Sequence, residues 1–210
     1  MPARLKKFVL PAIFAMALGV LQSCETLQQM AAGLSNLGRL KFRVAEVRDF
    51  TLVGINLGGV STLSDFGIQD GFRLGQAFAT KRLPAEFVVN IEAVNPNDGT
   101  GGSSQTVATL TSLESRLLID NVPTVTGNID RPFEIPGTGQ ASIIPIRMTI
   151  DLYEFFGNKG YDGLLNIALA LGGMRRDAAR IALDAQPRIS TPLGPITYPG
   201  RLTIISHEFR

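Results

Sequence analysis

"LPAEFVVNIEAVNPN", Leu83 to Asn97, alternates for ten residues and then stops. Phe87, Val89, Ile91 and Ala93 fall on one side of an extended chain, and Val88, Asn90, Glu92 and Val94 fall on the other. That period of two is what a strand between a core and another surface imposes. The stop is chemical. Pro96 brings no amide hydrogen to a ladder and holds Asn95 in extended backbone, while Asn97, Asp98 and Gly99 suit a turn. The segment predicts a strand over Ala85 to Val94 and a corner at Asn95-Pro96-Asn97.

Working outward, the same period recurs. Leu40, Phe42 and Val44, then Val53, Ile55 and Leu57, alternate with other residues. Four more strands are predicted at Gln105 to Leu110, Arg116 to Asp120, Val125 to Ile135 and Gln140 to Leu152, with turn chemistry at Asn121 to Pro123 and at Pro136-Gly137. Pro187 to Thr191 and Arg201 to Phe209 read as a closing hairpin. Two segments change period. From Ser64, a residue suited to an N-cap, Phe66, Leu74, Ala77 and Phe78 share a helical face as far as Thr80, with Pro84 as the stop. Tyr161 to Ala185 reads as a second helix, apolar at Leu164, Leu165, Ala168, Leu169 and Leu171 and breakable at Gly172-Gly173. Many short strands with two helical interruptions predict a mainly β fold, an immunoglobulin- or fibronectin III-like antiparallel β-sandwich with two helical insertions.

The N-terminus follows a different grammar. Arg4, Lys6 and Lys7 precede an uncharged, mostly apolar run from Phe8 to Val20, and small Ser23 precedes Cys24, the single cysteine of 210 residues. This is the layout of a secretory signal peptide over residues 1–23, too short and too interrupted by Pro11 for a membrane span. Leu21-Gln22-Ser23-Cys24 resembles the bacterial lipobox, in which the cysteine is acylated and becomes the first residue. Gln22 is larger than the residue usual at its position, and an ordinary signal peptide with a chance cysteine is the plain alternative. A lone thiol closes no internal disulfide. More than one acyl chain on Cys24 would hold the chain stably at a leaflet. Residues 24–40 then form a tether, in which Leu27, Met30, Leu34 and Leu37 make a helical stripe that could lie on the membrane surface or dock on the sandwich; the lack of Lys and Arg on its polar face favours docking or a partly frayed tether, and 41–210 form one domain.

Charge supports no nucleic-acid partner. The chain has 20 basic and 18 acidic residues, and removal of the three basic residues before Cys24 leaves 17 against 18. The remaining cluster, Arg175, Arg176 and Arg180, suits the end of a helix.

"FRVAEVRDFTLVGINL" (Phe42 to Leu57), "LPAEFVVNIEAVNPN" (Leu83 to Asn97) and "SRLLIDNVPTVTGNIDRPFEIPGTGQASIIPIRMTIDL" (Ser115 to Leu152) together resemble the LEA type 2 family, also called the water stress and hypersensitive response domain. The marks are the alternating strand ending in Asn95-Pro96-Asn97, the strand pair reaching Gly127, and the passage from Ile135 to Ile146. The resemblance spans about half of the chain after Cys24, and the two helical segments depart from it. It implies a fibronectin-like sandwich without catalytic residues, and a protective role under desiccation or other stress.

The residues offer little chemistry of their own. His207 is the one histidine, placed near the C-terminus in a terminal strand. One histidine and one cysteine cannot assemble a zinc site. Asn95, Asn97 and Asp98 near Gly99 suggest a calcium loop, but the ligand alternation fails at Gly99 and no glutamate closes it. Asp151 with Glu154, and Asp65 with Asp70, are possible acid pairs that read better as helix ends. "GTGG" and "GTGQ" lack the Lys-Ser or Lys-Thr of a phosphate loop.

No catalytic or metal residue and no cofactor is therefore expected. The expected partner is a membrane, through acylated Cys24, with a protein partner or an apolar ligand as further possibilities. The expected place is the bacterial cell envelope, with Glu25, in place of a retaining aspartate, favouring the outer membrane. A carrier of lipid, with the Tyr161 helix lining a cavity, and a structural subunit of an envelope complex are the competing readings.

Overall fold

The structure, a computed structural model, describes residues 31, 33–58, 66–100, 105–172, 181–191 and 194–205. Among the described residues, ten strands form two antiparallel sheets. The first has the order β2-β1-β3-β7 and the second β10-β8-β4-β5, with β6 on β4 and β9 on β8. They are β1 Lys41–Leu52, β2 Ile55–Asn56, β3 Pro84–Val94, β4 Ala108–Ile119, β5 Val122–Gly127, β6 Phe133–Ile135, β7 Ala141–Asp151, β8 Ile181–Thr191, β9 Gly194–Thr197 and β10 Leu202–Ile205. The helices are α1 (33–39), α2 Ile68–Ala79, α3 Leu152–Phe156 and α4 Gly160–Leu171. The result is an open β-sandwich with helices added.

β3 occupies the place its alternation demands. It lies between β1 and β7, with Phe87, Val89, Ile91 and Ala93 turned into the core and completely or almost completely buried. Phe42, Val44, Ile144, Ile146 and Met148 join them from the neighbouring strands. The second sheet answers with Leu110, Leu113, Leu117, Ile119 and Leu183. Phe50 of β1 stacks on Phe87 with ring centroids 5.6 Å apart. Burial of these side chains supplies the main drive to fold, about 1.5 to 3 kcal/mol for each large one.

Several sequence boundaries move, each for a local reason. Ala108 to Leu110 and Arg116 to Ile119, from two predicted strands, are parts of one 12-residue strand, β4, carried past its polar middle by a register shift opposite β8 between Leu110 and Ser112. Val125 to Ile135 is two strands, β5 and β6, both on the same edge of β4. Where they part, Asn128 Oδ1 accepts the Leu113 N–H at 2.7 Å and takes the place of a ladder carbonyl. Pro123 lies inside β5, because the turn is Asp120-Asn121, both with positive φ (52° and 65°). That is the pair of left-handed residues a tight hairpin asks for. Val53, read as part of a strand, sits with Gly54 in the turn between β1 and β2, again at positive φ.

The helices also differ from expectation. α2 starts after Gly67, not at Ser64, which lies outside the described residues. It ends before Pro84, which opens β3. Lys81 turns to φ 57°, so that its N–H reaches Phe78 O and the Arg82 N–H reaches Ala77 O, both at 3.0 Å. This is the closing pattern of a Schellman cap. α3 is a third helical piece, entered directly from β7. Tyr161 to Ala185 does not stay helical: α4 ends at Leu171, and Ile181 to Ala185 belong to β8, paired with β4 and β10. Alanine and leucine favour helix, yet Leu183 and Ala185 alternate inward between two partner strands, and that pairing outweighs propensity. The closing hairpin changes partners as well. β10 pairs with Ala182 to Ala185, and Arg188 to Thr191 pair with β9. Residues 206–209 lie outside the described part.

The sandwich has two unlike ends. At the start of β3 stand α2, α3 and α4, joined where the Phe78 ring meets Tyr153 and Tyr161 edge-on at 5.7 and 5.4 Å. Asp151 ties this end, its Oδ1 accepting both the Leu83 N–H at 2.8 Å and the Tyr153 N–H at 3.0 Å. At the end of β3 lies α1, docked through Leu37 and Leu40, with Gly33 close against Ile196 and Thr191. Of the predicted stripe, Leu37 is buried against the sandwich and Leu34 is exposed. Leu27, Met30 and the signal segment lie outside the described residues.

The inward and outward faces should separate cleanly by mutation. Ile91→Ala is expected to lower unfolding free energy by about 3 kcal/mol in urea titration. Ile143→Ala, on the half-exposed outer face of edge strand β7, should cost less than about 0.5 kcal/mol. Equal losses would contradict the two-faced sheet.

Candidate functional site

Asn95, Pro96 and Asn97, predicted as a plain corner, form the most connected polar group at the α1 end. The side chains of Asn95 and Asn97 are fully buried, which for an amide requires that every donor and acceptor be used. Asn95 Nδ2 donates to Thr106 O at 2.8 Å and to Ile135 O at 3.0 Å. Its Oδ1 accepts from the Asn97 N–H at 3.1 Å and from Asn97 Nδ2 at 2.8 Å. One amide thus links the end of β3, in the first sheet, to the approach to β4 and the end of β6, in the second.

Asn97 extends the network. Its Nδ2 also faces Asn36 O at 3.4 Å, and its Oδ1 accepts from Arg39 Nη1 at 3.2 Å, so α1 is fastened to the same corner. The backbone closes the rest. The Thr106 N–H reaches Asn97 O and the Gly139 N–H reaches Asn95 O, both at 3.1 Å. Gly137 is required here by contact: a Cβ would collide with the carbonyl oxygens of Asn97 and Thr106. The "GTGQ" segment is thus a packed connection. Gly99, at φ 91°, turns the chain just beyond, where Asp98 Oδ1 accepts from Thr100 N–H at 2.9 Å and from Thr100 Oγ1 at 2.7 Å.

These contacts answer the calcium-loop question for Asn95. Its oxygen faces two N–H donors, which is the surroundings of a structural amide rather than of a cation ligand. Among the described residues no cluster of three or more histidine, cysteine, aspartate or glutamate side chains is placed to hold a metal. Asp151 works as a cap on α3, and Asp70 lies in the first turn of α2. Cys24, Asp65, Arg175, Arg176, Arg180 and His207 lie outside the described residues.

Two surface networks complete the polar inventory. On the outer face of the first sheet Arg43 pairs with Glu92, and Asn90 Nδ2 donates to Glu46 Oε1 at 3.0 Å across a bulge in β1. On the second sheet Arg116 meets Asp184 at 2.6 Å, and Arg201 Nη2 donates to Asp184 O at 2.7 Å. Cross-strand pairs of this kind secure register at modest energy.

α4 raised the question of a ligand cavity. Leu164, Leu165, Ile167, Ala168, Leu169, Ala170 and Leu171 are all buried, and most belong to the one core cluster that also contains both sheets. Packing accounts for its apolar excess. The feature that sequence reading passed over is on α2. Leu74 and Ala77 face the core, but Ile68 is 95% exposed and Phe72 74% exposed. The signal was present in the spacing, since 68, 72 and 79 are apolar on the side away from Leu74.

Two variants test the corner. Asn95→Ala removes both donors and is expected to cost about 2 to 4 kcal/mol in denaturant unfolding. Asn95→Asp should cost more at neutral pH, because a carboxylate cannot donate to Thr106 O and Ile135 O. A smaller loss for the aspartate would contradict the assigned amide orientation.

The neighbouring loop gives a pH test. The Thr100 hydroxyl and N–H hold the exposed Asp98 carboxyl below its usual 3.8. A depressed carboxylate contributes stability above its unfolded-state pKa and loses it as pH falls through the folded-state value. In an NMR titration Thr100→Ala should raise the Asp98 midpoint; an unchanged midpoint would refute the assigned cause.

No family model matches the chain, and no curated protein matches it. Two solved structures do. One is the crystal structure of a protein from Archaeoglobus fulgidus, with 9% identity over 60% of this chain and 82% of that one, at a TM-score of 0.32. The other is the solution structure of an Arabidopsis thaliana protein of the LEA type 2 class, with 14% identity over 59% of this chain and 73% of that one, at a TM-score of 0.29. Likenesses at this level transfer no residue role. The two-sheet sandwich seen here is the architecture that the LEA type 2 resemblance of Phe42 to Leu152 implies.

Proposed function

We propose that this chain is a non-enzymatic protein of the bacterial cell envelope, held at a membrane through acylated Cys24 and acting in protection under desiccation or other stress. The observation that carries the non-enzymatic part is the use of the polar groups. Asn95 and Asn97 are spent on the corner, half-buried Asp151 on the α3 cap and the Leu83 N–H, and the Asn90 amide donates to Glu46. The polar faces of both sheets carry intramolecular ion pairs. Such a body works by its surface.

The membrane part rests on sequence chemistry. Leu21-Gln22-Ser23-Cys24 follows an apolar run and contains the chain's single cysteine. Two or more acyl chains contribute about 0.8 kcal/mol per buried methylene, enough for stable attachment. Residue 33 lies only nine residues beyond Cys24, so the α1 end would stand within about 30 Å of the lipid. The outer membrane is the proposed location, on the identity of Glu25.

Cys24→Ala in the native host should abolish palmitate labelling and shift the protein from the membrane to the soluble fraction. Continued labelling of that variant would refute the anchor. For the protective role, a deletion strain should survive drying and osmotic shock less well than its parent, with survival restored by the intact gene. Equal survival would remove this role.

A further inference from the structure

Ile68 and Phe72 project from the same side of α2, one turn apart, into solvent. Around them the helix is smooth: Gly71 and Gly75 have nothing within 4 Å of a hypothetical Cβ, and Ala79 is exposed. Leaving two large apolar side chains in water forgoes the stabilisation that burial of each would bring. On the adjoining flank of α2 the chain carries Arg73, with half-buried Asp70 one turn before it. An open groove of about 320 Å³ between α2 and the start of β3 is lined by Arg73, Arg82, Gln76 and Thr80 over apolar Val53 and Pro84. Lys81 stands at the turn between them. None of Arg73, Lys81 and Arg82 forms an ion pair or side-chain hydrogen bond among the described residues. The acid of α2, Asp70, lies on the half-buried flank nearer the core face.

We infer that this end of the sandwich docks on a bilayer surface carrying anionic lipid, with Ile68 and Phe72 inserted at the headgroup boundary and Arg73, Lys81 and Arg82 against lipid phosphates. Charge complementarity selects an anionic occupant. Shape selects the bilayer over a protein: a stable protein interface buries about 800 Å² on each side, whereas two side chains on a convex helix offer on the order of 300 to 400 Å². Shallow insertion of a few apolar residues beside cations is the geometry of interfacial binding. The contact is separate from the Cys24 anchor. β3 spans 11 residues, so α2 and the Asn-Pro-Asn corner near α1 lie roughly 33 Å apart at about 3.3 Å per residue.

The chain contains no tryptophan, so a single reporter reads this surface alone. The full chain carrying Cys24→Ser and Phe72→Trp is mixed with vesicles of phosphatidylcholine, with and without phosphatidylglycerol. The fluorescence should shift to the blue and be quenched by acyl-brominated lipid only with phosphatidylglycerol present, and raised salt should weaken the effect. Adding Arg73→Gln and Arg82→Gln should lower vesicle affinity on the order of ten- to thirty-fold, with circular dichroism showing an unchanged fold. Ile68→Trp, in place of the first reporter, should respond alike. The inference is overturned if the reporters stay water-exposed while the chain sediments with vesicles. It is equally overturned if inorganic phosphate or polyglutamate alone produces the shift. Because the cysteine is absent, failure here leaves the lipid anchor standing, and failure of palmitate labelling leaves this surface standing.

Discussion

The fold depends on a buried primary amide. Asn95 stands where β3 leaves the first sheet, and both hydrogens of its side chain go to backbone carbonyls of the second. Two sheets packed through apolar side chains alone can slide, since dispersion and burial have little direction. Hydrogen bonds made in a place without water are directional, and an unmade one costs the full desolvation of the group. The amide therefore sets the relative position of the sheets at one end, and Pro96 presents it by ending the ladder at the right residue.

The opposite end is organised by a carboxylate in the same way. Asp151 closes β7, caps α3 and accepts the Leu83 N–H at the entry to β3. β3 is thus held at both ends by side chains that cross between elements. The helices gathered at Asp151 cover that mouth of the core, with Phe78, Tyr153 and Tyr161 as their junction. Its outer helix, α2, carries the two most exposed large apolar side chains among the described residues, Ile68 and Phe72.

β4 shows how an interrupted pattern becomes one strand. Its middle, Thr111 to Ser115, is polar at four of five positions, yet it is enclosed by β8 on one edge and by β5 and β6 on the other. Asn128 fills the gap between β5 and β6 with a side-chain oxygen. Irregularity in one strand is absorbed by a bulge against another, and the core face stays apolar apart from Ser115, whose hydroxyl donates back to Leu113 O.

What the sequence determined by itself was everything governed by local period and turn chemistry. The alternation of β3 and the corner at Asn95-Pro96-Asn97 were legible, and so was the mainly β class with helices near α2 and α4. What only the tertiary structure decided was everything governed by partners distant along the chain. Ile181 to Ala185 carries helix-forming residues and becomes a strand because β4 and β10 flank it. The corner at Asn95-Pro96-Asn97 is also a buried cross-link, because Thr106 and Ile135 arrive from elsewhere. Leu74 and Ala77 were legible as one helical face, but the exposure of Ile68 and Phe72 is set by which neighbours α2 meets. Local propensity acts over a few residues and amounts to tenths of a kilocalorie, about 0.7 kcal/mol at most for an ordinary residue. Burial and pairing act across the whole chain with larger energies, and where the two disagreed the longer-range interaction prevailed.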